Sequence, residues 1–411
     1  MIMQEKLDSF TPALAGVLID LTFFNIFSIL PDKYVENREA NMGFNDSDYE
    51  EGRNILKRIE EQPTRFVFGI PKAIRNTVLS LATKVPRDSK SGKEWAQAHV
   101  YLLDKPGRGK TAVLIYLSHA IRAKIGRVDG RPDMMPSDIT GREERFTGTP
   151  TLLKGPLHSN IFFFDEINRT PPKGQAIMLG AMEGGYVIMM VTDPGTNRLD
   201  AKPFSLYPIS EDPDEKELFF TVFATANPIE FEGTYPLSEA QKERFTYSFR
   251  MGRPNREDEM RVRSKNVMGK KVDVVTDLKT ILQIQEMAQQ IELSEGADEL
   301  IMRYIENSVP YPQDLEDWDR PRKRHASMDL VYFIKRYVLN GCSVRRNFHM
   351  EAAAKAWAFL RGENRVATAD DVKAIAPLTM EHVILLDPKS EGDNVTTQKV
   401  VQKITDETEM P

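Results

Sequence analysis

The sequence predicts an α/β fold in which a parallel sheet carries a phosphate-binding loop and inserted hairpins, followed by an all-helical domain. Three observations lead there. The loop Asp104-Lys105-Pro106-Gly107-Arg108-Gly109-Lys110-Thr111 follows a short apolar run at 100–103 and precedes the helix-like stretch AVLIYLSHAI. The run IFFF at 161–164 is too short for a helix that buries one stripe but suits a strand covered on both faces. It ends in Asp165 and Glu166, and ligands sit beyond the carboxyl ends of strands in open α/β sheets. From about Pro254 the chain becomes a series of helix-length segments with polar or Gly/Pro breaks.

A chain of 411 residues, 28% charged and 41% hydrophobic, can hold one large or two ordinary domains with full cores. Lys and Arg number 55 against 61 Asp and Glu, so no global field draws the protein to nucleic acid. The single cysteine, Cys342, excludes an internal disulfide and every multi-cysteine metal site, and it fits a reducing, cytoplasmic compartment. The six histidines show no metal-site spacing. Only ALAGVLIDLTFFNIFSIL, residues 13–30, raises the question of a membrane. Asp20 and Asn25 inside it would be costly in lipid, so stable insertion is not expected and the stretch reads as a buried or docking helix.

Taken in order, residues 1–60 form an N-terminal extension, in which EEGRNILKRIEEQ has charges on most faces and is expected to pack weakly. In IPKAIRNTVLSLAT the spacing of Ile70, Ile74, Val78 and Leu81 marks a helix face that should lie against the first strand, and 86–94 is a polar loop. The phosphate loop feeds a helix to about Ala123, and 125–136 reads as a Gly/Pro/Arg-rich connection. PSDITG is a helix cap or turn, and FTGTPTLLKGPLHSN a short hairpin projecting as a partner-contact element. Thr170 is placed to cap the helix 173–183, which Gly184-Gly185 closes. YVIMMV and FSLYPI read as strands joined by a Gly/Asn-rich turn, and 219–224 as a buried strand leading to Asn227. The residue range 61–255 is thus an α/β core, 256–387 a helical domain, and the tail from 388 polar and loose. Thr368 and Asp371 form a capping pair.

The loop chemistry points to a nucleotide. Backbone N–H groups at the start of a helix donate to phosphate oxygens, while the lysine of such a loop reaches the β/γ oxygens and the Ser/Thr hydroxyl meets Mg²⁺. Asn227 could orient a water or a γ-phosphate oxygen, or be a turn asparagine. Arg244, at the end of a short helical segment, is either a solvated cation favoured by the helix dipole or an arginine finger.

With these pieces placed, the chain resembles the MoxR family of AAA+ ATPases over roughly residues 60–387. The matching blocks are PGRGKT (106–111), PSDITG (136–141), GPLHSNIFFFDEINRTPPKGQAIMLGAMEGG (155–185), ATANPIEFEGTYPLSEAQKERF (224–245), GCSVR (341–345) and RGENRVATADDVKAIAP (361–377). The resemblance implies a P-loop AAA+ domain that binds ATP through Pro106, Gly107, Arg108, Gly109, Lys110, Thr111 and Asp165, with Thr111 and Asp165 serving Mg²⁺. It implies Glu166 as the base for the attacking water, Asn227 as sensor 1, Arg244 as a finger acting on a neighbouring subunit, and Arg345, helped by Arg346, as sensor 2 on a helical lid. It further implies a ring, usually hexameric, that remodels or activates a client protein with a von Willebrand A-domain partner. Asp104 stands where the strict loop pattern has glycine, and the segment between Glu183 and Phe219 exceeds the family's compact hairpin. Two other readings remain: a nucleotide-binding structural ring, for which Asp104 is the best support, and an AAA+ nucleic-acid motor, which SEDPDEKE beside the long hairpin disfavours.

Overall fold

The computed structural model describes residues 43–86, 95–104, 107–144, 151–193, 196, 198–206, 219–227, 233–264, 272–310, 325–362 and 365–411. Residues 49–411 form one compact unit. The strands of its N-terminal α/β part, in chain order, are β1 (Lys84–Pro86), β2 (Trp95–Gln97), β3 (Val100–Leu103), β4 (Ile125–Asp129), β5 (Gly141–Glu144), β6 (Thr151–Lys154), β7 (Ile161–Asp165), β8 (Tyr186–Thr192), β9 (Leu199–Ser205), β10 (Thr221–Ala226) and β11 (Tyr247–Phe249). Five of them pair in parallel in the order β11-β3-β10-β7-β4. The central strands are near-continuous apolar runs because helices cover both faces, and every residue of β10 is buried.

Position, more than hydropathy, explains β4. The sequence reads 125–136 as connection, yet Ile125–Asp129 is the edge strand beside β7. Its interrupted pattern is that of an edge, with Gly126 and Val128 buried and Arg127 and Asp129 exposed. Gly126 is also where β4 passes the chain at 156, since a Cβ there would lie 1.9 Å from the Pro156 carbonyl oxygen. Asn160 ties the strand starts together: its Oδ1 accepts from Lys124 N–H at 2.9 Å and its Nδ2 donates to Phe219 C=O at 3.1 Å.

Two antiparallel hairpins project from the core, β5–β6 and β8–β9; the first takes its leading strand from Gly141–Glu144, ahead of the stretch 146–160 expected to form it. The second differs from the expected YVIMMV/FSLYPI pair: β9 is Leu199–Ser205, because seven consecutive residues pair with β8 in a register running from Tyr186 opposite Ser205 to Thr192 opposite Leu199. Val187, Met189 and Val191 turn inward onto the cluster of Phe162, Phe164, Val222 and Met178. The helix Pro172–Gly184 starts one residue later than a Thr170 cap would allow, with Pro171 at its cap and Thr170 fully buried.

The helical domain follows the sequence closely. Ser294 and Ser327 cap the helices Glu295–Ser308 and Met328–Tyr337. Asp371 accepts from both the N–H and the hydroxyl of Thr368 at the head of Ala369–Met380, and it pairs with Arg361 through two 2.9 Å bonds. Three expectations are corrected. The helix Asp46–Thr64 is not weakly packed: Tyr49, Leu56, Ile59 and Pro63 form a buried stripe, and Gly52 lets it approach so closely that a Cβ would lie 3.1 Å from Phe359. The tail is not loose, since Thr397–Glu407 is a helix burying Val400, Val401 and Ile404 at helical spacing. The helix Pro71–Ala82 packs on β11 and on the helices Leu278–Gln289 and Arg345–Arg361 instead of chiefly on β3. The apolar stretch 13–30 lies outside the described residues, as does 87–94 of the polar loop. Among the described residues no helix is long and apolar enough to cross a membrane.

The helical domain meets the sheet at buried polar groups. Arg346, with no exposed surface, donates to the carbonyls of Phe245 (2.9 Å) and Glu243 (3.2 Å) and to the Glu243 carboxylate (2.9 Å). His382 donates to the same Phe245 carbonyl at 2.9 Å. Burial first, and then the positive charge of Arg346, hold His349 and His382 well below the ordinary histidine value of 6.5. Arg345, His382 and His99 add smaller repulsion at His349, and Lys242 at His382. Both imidazoles are therefore neutral in the fold, and the unfolded chain binds more protons below pH 6.5. Stability present above that pH should fall on acidification, by up to about 1.4 kcal/mol per pH unit for each histidine. Urea unfolding at pH 7.5 and 5.5 checks this; the loss should shrink in His349→Phe.

Candidate active site

The loop after β3 is built to hold an anion. Gly107 and Gly109 adopt left-handed conformations, at φ 77° and 78°, that side chains resist. The first intrahelical bond of Lys110–Ala120 runs from Val113 N–H to Gly109 C=O at 3.0 Å, so the amides of Lys110, Thr111 and Ala112 precede the helical ladder. Lys110 is buried, and its ammonium donates to the Asp104 carbonyl at 3.0 Å. The Asp104 carboxylate accepts from Gly252 N–H at 3.3 Å and lies 3.9 Å from Arg108. Pro106 lies outside the described residues. An apolar ledge adjoins the loop, where a Cβ on Gly109 would come 3.2 Å from Val67 and 4.0 Å from Ile70.

The strand ends bring the other groups level with this loop. Asp104 N–H donates to Ala226 C=O at 3.2 Å, which sets the loop beside Asn227. Asp165 ends β7, its Oδ1 accepting from the Thr225 hydroxyl at 2.7 Å and its Oδ2 from Arg127 at 3.1 Å. Glu166 follows in a left-handed conformation, φ 53° and ψ 48°, unusual for a side chain of its size. Such a conformation costs roughly 1–3 kcal/mol and persists only where its surroundings enforce it. Here Glu166 N–H donates to Thr225 Oγ1 at 2.8 Å, its carbonyl accepts from Arg169 N–H at 2.9 Å, and its carboxylate lies 3.2 Å from Arg169 Nε. Gly130 backs the turn, since a Cβ there would meet the Glu166 carbonyl oxygen at 2.1 Å.

The arginines lie elsewhere. Arg244 precedes β11, and Thr246 N–H beside it donates to the carbonyl of His99, which precedes β3. They therefore sit at the sheet edge where strands begin, whereas Lys110, Asp165, Glu166 and Asn227 sit where strands end, about 13 Å away for a four-residue strand. Arg345 shares the Arg244 edge, because both guanidiniums pair with Glu183, Arg345 at 3.1 Å. The structure thus gathers one set of the expected residues and separates the other.

Sequence reading missed Thr225 and Glu183. A threonine within a wholly buried strand needs a hydrogen-bond partner, and that was the available signal for Thr225. Glu183 at the end of a helix carried no such mark.

A five-stranded parallel sheet with a phosphate loop, an Asp-Glu pair at a neighbouring strand end and a helical lid defines an AAA+ ATPase. The family described as ATPase family associated with various cellular activities (AAA) matches residues 99–247, and the AAA lid domain matches 334–404. The uncharacterized protein YeaC of Bacillus subtilis is 30% identical over 325 residues, covering 77% of this chain and 86% of that protein. Chaperone MoxR1 of Mycobacterium tuberculosis is 26% identical over 363 residues, covering 87% and 83%. The fold also matches a solved structure from Cytophaga hutchinsonii, named provisionally as an ATPase, with a TM-score of 0.69 at 24% identity over 89% of this chain and 97% of that one. The chain belongs to the MoxR family of AAA+ ATPases.

Thr225→Val should keep the fold while releasing both Asp165 and the Glu166 turn, and lower ATP turnover some 10- to 100-fold. Thr225→Ser, which retains the hydroxyl, should recover most of it; equal loss in both variants would remove the hydroxyl from this role.

Proposed function

We propose that the protein hydrolyses ATP with Mg²⁺ at sites completed between subunits of a ring, and uses the cycle to remodel or activate a client protein. The observation that carries this reading is the division of the site residues between opposite edges of one sheet. A single subunit has the phosphate loop, the acidic pair and Asn227, but its Arg244 faces away from them, so a second copy is needed to complete the charge around a γ-phosphate. Proteins of this class generally assemble into rings, and a hexamer is the assembly proposed.

Lys110 and the amides at the helix start hold the phosphates, with a base resting on the Val67–Ile70 ledge. Thr111 and Asp165 offer hard oxygen donors of the kind Mg²⁺ takes together with substrate phosphates. Each Asp165 oxygen accepts one protein hydrogen bond and keeps a lone pair, so the carboxylate fits a metal's water shell. When bound, the ion neutralises charge on the β and γ phosphates. Glu166, held by its enforced turn, polarises the attacking water, and Asn227 orients it. Arg244 and Arg345 of the neighbouring subunit stabilise the developing charge.

A docking surface for client or partner is available on the β8–β9 hairpin, whose outer face shows Tyr186, Ile188, Met190 and Leu199, the last 63% exposed. We place a protein client there, with a von Willebrand A-domain protein as partner and the cytoplasm as compartment.

Glu166→Gln should retain ATP binding while suppressing turnover, whereas Lys110→Ala should weaken binding itself in a nucleotide titration. Mixing inactive Arg244→Ala subunits with inactive Glu166→Gln subunits should restore hydrolysis at mixed interfaces. No recovery in verified mixed rings would count against a finger acting between subunits.

A further inference from the structure

We propose that Glu183 is a positioning residue that withholds Arg244 and Arg345 from catalysis until a neighbouring subunit's nucleotide replaces it as their anionic partner. This rests on the reading that Arg244 acts between subunits. Glu183 sits in the last turn of Pro172–Gly184, just before the left-handed cap Gly185. A carboxylate there opposes the helix dipole, which favours cations at that end. Its surroundings reverse the balance. Burial pushes the Glu183 carboxyl up, but its bonds to Arg244 and Arg345 outweigh burial and hold it below the ordinary glutamate range.

The arginines come from different parts of the fold. Arg244 follows the short helix Glu239–Lys242 of the core, and Arg345 begins the lid helix Arg345–Arg361. Only a shared anion keeps two guanidiniums this close, since their mutual repulsion acts in a partly desolvated place. The Arg244 donors are committed inward: Nη1 to Ala240 C=O and Nη2 to Glu183. Its Nε is buried with no hydrogen-bond partner among the described residues, and its side chain is 16% exposed against 43% for Arg345. An unsatisfied buried donor makes this a conformation held by its partners, and not the one guanidinium hydration would choose. The end of the helix is itself fixed, because His99 donates from Nε2 to Met182 C=O at 3.1 Å while its Nδ1 accepts from Val222 N–H at 3.0 Å. Glu183 therefore cannot follow the arginines outward.

A γ-phosphate offers guanidinium the same planar pair of acceptors as a carboxylate, with more negative charge. Contact with a nucleotide-bearing edge then exchanges one ion pair for another, with no proton moved and no bond made or broken. Because Arg345 belongs to the lid, the exchange also removes the lid's bond to Glu183, while Arg346 still ties the lid to the core. Glu183 raises the threshold for assembly-dependent hydrolysis and suppresses turnover by stray subunits.

The test is ATPase activity across a protein-concentration series for wild type, Glu183→Gln, Arg244→Ala and the double variant, with melting temperature as a folding check. Glu183→Gln should reach half-maximal activity at about tenfold lower protein concentration, the scale of one charge-assisted bond. Its KM for ATP at the plateau should be unchanged, and the double variant should stay as inactive as Arg244→Ala. Glu183→Asp, which keeps the charge but shortens its reach, should shift the curve less in the same direction and serves if the glutamine variant melts early. An inactive Arg244→Ala together with an unshifted or rightward-shifted Glu183→Gln curve would overturn the role of Glu183 alone. Wild-type turnover in Arg244→Ala would instead overturn the finger, and this proposal with it.

Discussion

The parallel register of β3, β7 and β10 is the constraint on which the molecule depends. Three apolar strands ending at one level place a phosphate loop, an acidic pair and an amide side by side without any of them sharing a local sequence. The levels are held by backbone bonds at the strand ends, Asp104 N–H to Ala226 C=O at 3.2 Å and Gly130 N–H to Asp165 C=O at 2.7 Å. A slip of one residue would turn every side chain to the other face and carry Asp165 off its threonine. The buried phenylalanines of β7 and β10 resist such a slip on both faces.

The strain at Glu166 follows from the same arrangement. A left-handed glutamate is unfavourable alone, but Thr225 is anchored in a fully buried strand and Gly130 leaves room that no side chain could share. One hydroxyl thereby bonds both the Asp165 carboxylate and the Glu166 backbone N–H, so the two acidic residues share a single anchor. Arg127, reaching Asp165 from the edge strand, adds a positive group whose presence depends on β4 being a strand at all.

At the opposite edge the chemistry is cationic and partly buried. Arg346 is spent structurally, binding core carbonyls from the lid helix, whereas its neighbour Arg345 is half-exposed and shares Glu183 with Arg244. Adjacent arginines on one helix start thus have unlike duties, decided by which way the helix turns each side chain. The neutral histidines packed around Arg346 keep that junction from gathering further charge.

Sequence alone determined the elements whose signals are local. The phosphate loop, the Asp-Glu strand end, Asn227, the helix cap at Thr368, and the succession of lid helices are written in contiguous residues. Edge strand β4, the start of β9 and the packed helices at 46–64 and 397–407 carry no such local signal. Their apolar residues are sparse, and their burial comes from distant partners such as Phe359 meeting Gly52. Tertiary structure alone decided which side of the sheet each arginine occupies, that Thr225 serves two acidic residues at once, and that Glu183 joins core to lid. Those facts depend on strand order and on contacts up to 162 positions apart along the chain, distances over which residue spacing carries no geometric information.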